Sequence, residues 1–394
     1  MKLNNKGFAL TSIIYMLIVL FLLLLLLILS NLASRKVVLD KLKYDVKNKF
    51  GQGGIVASVG RTAGEIISTS IVNSGDGLYA STIDSRRYIY RGSNPNNYIK
   101  LEENNVDVMY RIISFEADGS IKVIRDTSIG SMAWDERTGE TEGPRKNDDN
   151  TYCNYTGTYY GCNVWSNMND TTYNGTPLST LFSNSFHYKY FNSSTSDLLD
   201  HSTSGTVKDN SSLNTYLNGE WLNNSGLNDY INSNTNFSVG GLYYYSTYTG
   251  GDKGLEKELE EINSYKWQGK VGLMYITDMV ETSLSNSCDS VYDNFYYNPN
   301  YYYKDTGSET ASQHITNGNW PCTKDNWLFK GITEWSLSAY SSHRGSVWRV
   351  ISTGCFSGTN PYSAFGARPV LYLKPQTTLT GEGTEGAPYI ITNA

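Results

Sequence analysis

Histidine and cysteine are scarce: 394 residues hold four of one and five of the other. His187, His201, His314 and His343 share no ligand register, and no two cysteines have CxxC-type spacing, so a metal centre is not expected. Catalytic fingerprints are missing as well. The chain has no P-loop, no GxSxG and no HExxH. Ser341-Ser342-His343-Arg344 sets a hydroxyl beside an imidazole, but neighbours in sequence seldom reach nucleophile–base geometry, and the segment reads as an exposed loop. Cys355 has no nameable acid–base partner and reads as a free or buried thiol. Catalysis is therefore not expected, and no cofactor is implied.

Positive charge is lacking beyond residue 50. The first fifty residues carry a net charge of +6 and the remainder −12. A domain that acidic does not condense on phosphate backbones, which argues against a nucleic-acid partner.

Long apolar runs are lacking too, with one exception. Residues 8–29, FALTSIIYMLIVLFLLLLLLIL, make a helix of about 33 Å, enough to cross a hydrocarbon core and too long for a cleaved signal-peptide h-region. The chain then divides into a cytoplasmic leader at 1–7, a transmembrane helix at 8–31, a helical stalk or linker at 32–85 and an extracellular α+β domain at 86–394. Lys2 and Lys6 precede the span while Arg35, Lys36, Lys41 and Lys43 follow it, so charge does not orient it. The polar, Tyr- and Asn-rich remainder reads as extracellular, placing the N-terminus inside. The expected localisation is a single-pass protein of the cell membrane.

Few as they are, the cysteines are well placed for bridges in an oxidising compartment. Cys153 and Cys162 flank a short turn, and Cys288 and Cys322 bracket a Tyr/Asn-rich stretch. Proximity favours those two disulfides, with other arrangements of the five open.

What the chain has in excess is tyrosine: 32, with 8 Trp and only 12 Phe. Tyr243-Tyr244-Tyr245 and Tyr301-Tyr302-Tyr303 are the densest groups. Rings with polar tips stack on sugar faces or anchor protein contacts, while a loop-heavy surface from AT-rich coding would show the same bias.

Local patterns locate several elements. Tyr110–Phe115 and Ser120–Arg125 alternate around Asp118-Gly119, the signature of a β-hairpin. Leu213, Tyr216, Leu217 and Trp221 have helical spacing, as do Leu255, Leu259 and Ile262, whose intervening glutamates read as a solvated face. Residues 269–276 read as strand, and Thr277-Asp278-Met279 opens a short helix. Strands are expected again at 347–352, 367–373 and 389–391. Residues 135–212 read as a polar, loop-rich surface insertion. Arg368, between Gly366 and Pro369, reads as a structural charge contact.

Two resemblances add to this. Lys6-Gly7-Phe8-Ala9-Leu10 before a long apolar helix resembles the class III signal of type IV pilins and type II secretion pseudopilins. That resemblance implies cleavage between Gly7 and Phe8 by a prepilin peptidase, and other pilins as partners. The family's usual Glu at the fifth mature residue is Ser12 here, which fits a minor, tip-located subunit and not a major one. The second covers most of 86–394. Arg87-Tyr-Ile-Tyr-Arg-Gly-Ser-Asn-Pro, Trp134, Trp267-Gln-Gly-Lys270, Trp335-Ser-Leu-Ser-Ala-Tyr340, Gly366-Ala-Arg-Pro-Val-Leu-Tyr372 and Gly381-Glu-Gly-Thr-Glu-Gly follow in order. They are similar to secreted or anchored surface proteins of low-GC, Gram-positive gut bacteria, with Tyr110 where a Trp is expected. The Trp335 to Val370 block also resembles the C-terminal part of lectin-like and sulfatase-modifying-factor-like domains, which implies a mixed α+β fold.

The resulting expectation is a membrane-anchored bacterial cell-surface protein whose β-rich, lectin-like ectodomain binds a glycan or protein partner. A minor pseudopilin of a type IV pilus or type II secretion-like assembly is the alternative.

Overall fold

The computed structural model describes Gly60–Glu136 except residue 83, parts of 154–242, and residues 265–285, 322–340 and 347–393 except 355. The described region is mostly β, with three principal sheets and few helices. None of its helices is long and apolar enough to cross a membrane, and the apolar run at 8–31 lies outside the described residues.

The largest sheet has ten strands: β1 (Arg61–Thr62), β2 (Gly77–Ala80), β3 (Tyr88–Arg91), β4 (Tyr98–Glu103), β5 (Val106–Phe115), β6 (Ile121–Arg125), β7 (Val271–Gly272), β8 (Val370–Leu373), β9 (Thr378–Thr380) and β10 (Tyr389–Asn393). Its order is β1-β9-β10-β4-β5-β6-β8-β7, with β3 bridging β2 and β5. The hairpin read from the sequence is its centre: Gly119 has φ +86°, the left-handed turn conformation that glycine adopts without a Cβ penalty. β5 is long enough to serve two neighbours on one edge, pairing β4 through Val106–Arg111 and β3 through Ser114–Phe115. Residues 110–115 are all buried, so this strand is covered on both faces. A register shift between Ile112 and Ser114 lets Ile112 and Phe115, three residues apart, join one hydrophobic cluster while Ile113 joins another.

A six-stranded sheet includes Glu334–Tyr340, Val347–Val350 and Ala364–Gly366, and a four-stranded sheet includes Thr171–Tyr173, Asn236–Ser238 and Tyr265–Gln268. A chain of rings joins the three. Trp134 packs on Trp165 at 4.9 Å and Trp335 at 6.0 Å, Trp165 on Trp267 at 6.1 Å, and Phe237 on Trp267 at 5.7 Å and Tyr372 at 5.4 Å. Such ring contacts each add about 0.5–1.5 kcal/mol beyond burial. Trp165 corrects one expectation: it lies within the 135–212 stretch read as surface loop, yet it is in the core.

Three helices flank the sheets. α1 (Ala63–Ser70) starts with a capping box in which Thr62 Oγ1 accepts from Glu65 N and Glu65 returns to Thr62 N. Ala63 and Ile66 are buried, β1 pairs β9, and β2 pairs β3. Residues 60–85, read as the end of a stalk, are thus built into the globular unit, which begins at Gly60. The periodicity of α1 is real, but its apolar face meets the sheet. α2 (Ser212–Ser225) fulfils the helical spacing of Leu213, Leu217 and Trp221. It widens to a π turn at 217–221, where Asn218 leaves the helix face to bond Val271 N and O. α3 (Ile276–Glu281) is buried along its whole length. The 255–262 helix expected from sequence lies outside the described residues.

Candidate functional site

Beside β1 the domain has a polar cleft of about 350 Å³, within the size range of small-ligand sites. Its walls come from the C-terminal end of α1 (Thr69, Ser70), the turn before β2 (Val72, Asp76), the loop before β4 (Asn94–Asn96) and Glu382. Tyr90 of β3, Leu78 of β2 and Tyr389 of β10 complete it.

Local chemistry sets each wall. Asp76 accepts from the backbone N–H of Ser93 at 3.0 Å and of Asn94 at 2.7 Å, tying two turns together. Asn94 Oδ1 accepts from Tyr98 Oη at 2.7 Å. Arg61 donates to Gly381 O at 2.7 Å, with its guanidinium 5.7 Å from the Tyr389 ring centre. The 381–388 loop approaches so closely at Gly383, φ +74°, that a Cβ there would sit 2.4 Å from Asn96 O. Only glycine fits.

Tyr90 is 2 % exposed, and its hydroxyl lies against the side chain of Tyr389 without closing a well-formed hydrogen bond. Burial, then the neighbouring Tyr389, push its phenol well above the usual range, so the proton stays on oxygen. A buried hydroxyl so poorly placed has not fully replaced its bonds to water, and a ligand oxygen or nitrogen would restore one. The lining carries one cation and two carboxylates, Arg61 against Asp76 and Glu382, which favours a neutral polyhydroxylated or weakly cationic ligand over an anion. Among the described residues it includes no histidine, cysteine or lysine.

A second polar cluster lies under α3. Arg87 donates to Glu116 at 3.1 Å, Ser114 at 3.2 Å and Asp278 at 3.3 Å, and also bonds Glu281. Ser81 donates to Glu281 at 2.6 Å, and Lys122 reaches Asp278. Arg368 donates to Glu334 at 2.5 and 2.8 Å and to Leu328 O at 2.7 Å, the structural charge contact its sequence context suggested. Among the described residues no group of three His, Cys, Asp or Glu is placed to hold a metal ion.

Most of the residues singled out from sequence fall elsewhere. Gly7, Phe8, Cys153, Cys162, Cys288, Tyr243–Tyr245 and Tyr301–Tyr303 lie outside the described residues, as do Ser341–Arg344 and Cys355. Cys322 is buried and disulfide-bonded to a partner outside them. Sequence reasoning missed Tyr90, Asp76 and Tyr389 as one site, although Tyr90 stands in a motif quoted for the second resemblance. It also passed over Lys122, whose signal was a charge flanked by Ile121, Val123 and Ile124 in a strand buried on both faces. No protein-family model, curated protein or solved structure matches the chain.

Proposed function

We propose that the chain is a membrane-anchored bacterial cell-surface protein whose non-catalytic, lectin-like ectodomain binds a glycan through the Tyr90–Asp76–Tyr389 cleft. The observation that carries this reading is the buried, incompletely satisfied Tyr90 hydroxyl beside Tyr389 in a polar cleft edged by aromatic rings and amides. Aromatic faces match the apolar face of a sugar ring, and Asn94, Asn96, Thr69 and Ser70 supply donors and acceptors for hydroxyls. The test is a glycan array with the detergent-solubilised full chain, followed by titration calorimetry on each hit. Binding that falls in Tyr90→Phe supports the cleft. A blank array and no calorimetric heat with the commonest surface sugars would count against it.

The leader favours a second reading, in which prepilin peptidase cuts between Gly7 and Phe8 and the chain joins a pilus or secretion assembly as a minor, pseudopilin-like subunit. Mass spectrometry of the N-terminal peptide separates the two. A chain starting at N-methylated Phe8 supports the assembly, and one retaining Met1 or Lys2 supports an uncleaved anchor.

A further inference from the structure

Lys122 and Asp278 are 156 residues apart in sequence and meet between β6 and α3. Each side chain is 1 % exposed. Lys122 Nζ donates to Asp278 Oδ1 at 2.7 Å and to Oδ2 at 2.6 Å, so the amine straddles the carboxyl group. The ring centres of Tyr275 and Tyr372 lie 4.4 and 5.7 Å from Nζ and wall the pair from water. Tyr275 N–H donates to Oδ2 at 2.8 Å, and Arg87 donates to Oδ1 at 3.3 Å.

We propose that Lys122 and Asp278 condense, once the domain has folded, into an intramolecular amide cross-link between β6 and α3. In water this reaction does not proceed, because the amine is protonated and the carboxyl ionised. Here the fold holds the two groups in permanent contact, which replaces an encounter by a fixed geometry of very high effective concentration. Burial also penalises both charges, and it pushes the Lys122 amine below its usual range against the opposing pull of Asp278.

The steps balance without any further reagent. A proton passes along the existing contact from the ammonium to the carboxylate, giving a neutral amine and a carboxylic acid. Nζ moves from between the two oxygens to the face of the carboxyl group, and its lone pair forms a bond to Cγ. Oδ2 carries the developing negative charge, met by the Tyr275 N–H. The Cγ–Oδ1 bond then breaks, and Oδ1 departs as water with a proton given up by the nitrogen. Glu116 belongs to the same cluster, bonded by Ser114 at 2.5 Å and by Arg87, which also donates to Asp278. The products are one amide and one water, with one positive and one negative charge removed from the interior. The cross-link closes a loop of more than a hundred residues, which restricts the unfolded chain most where loops are long.

The experiment is mass analysis of the purified full chain after reduction and denaturation, by intact mass and by peptide mapping. The expected result is the loss of one water, with the Lys122 peptide joined to the Asp278 peptide. That link is absent in Lys122→Ala and Asp278→Ala. Two separate peptides at full mass in the wild-type chain would overturn the proposal and leave an ion pair. The wild-type map decides the matter even if every variant fails to fold.

Discussion

The guanidinium carbon of Arg111 lies 3.6 Å from the ring centre of Tyr98, its direct cross-strand partner in the β4–β5 pair. Trp327 covers the same guanidinium at 4.9 Å, while Nε donates to Asn97 at 2.5 Å. Planarity makes both contacts possible at once. Lysine carries the same charge as a point on a flexible stem and can neither stack nor fork. Arg111→Lys is expected to destabilise the domain by about 2 kcal/mol, read as a lowered midpoint in urea at unchanged slope.

Tyr90→Phe separates binding from stability. The hydroxyl removed is buried against Tyr389 without a well-formed hydrogen bond, so its loss relieves a desolvation cost, and stability is expected to stay within about 1 kcal/mol of the parent. Affinity for the cleft's ligand is expected to fall about tenfold, the worth of one hydrogen bond. Thermal melts and titration calorimetry on the same preparation check both halves.

The Arg368–Glu334 pair has both side chains 1 % exposed. Glu334→Gln leaves a guanidinium buried without its counter-charge and is expected to cost about 3–5 kcal/mol. Replacing both together, Arg368→Met with Glu334→Leu, is expected to cost clearly less, because no lone charge remains. A double-mutant cycle in denaturant measures the difference.

One acid-sensitive contribution is local. Hydrogen bonds from Arg86 lower Asp84 from 3.8 to about 2, in a turn whose Asp84 side chain is 36 % exposed. A depressed carboxylate contributes stability above its ordinary value and loses it as pH falls through the folded one. Solvent screening keeps that contribution to about 0.2–1 kcal/mol. Asp84→Asn is expected to show this deficit at neutral pH, and the two proteins should converge as pH falls from 3.8 towards about 2.

Several elements were legible because their signals are local. Asp118-Gly119 between alternating strands makes a hairpin by turn geometry alone, and the spacing of Leu213, Leu217 and Trp221 makes one helical face. The α1 helix was equally legible, but its role was not. Periodicity says that Ala63 and Ile66 share a face, and says nothing about whether that face meets a stalk partner or a sheet. Trp165 was hidden for a related reason, since polar neighbours lower the mean hydropathy of a segment without stopping one large ring from reaching the core.

By itself, the sequence determined composition-level and nearest-neighbour matters: the acidic remainder, the 22-residue apolar run and the hairpin. Tertiary structure alone decided which distant residues meet. Tyr90 and Tyr389 come together because β3 and β10 belong to one sheet, and Lys122 meets Asp278 because α3 packs on the face of β6. Turn and helix preferences act over a few bonds, whereas a buried contact between β6 and α3 is selected by the free energy of the whole packed domain.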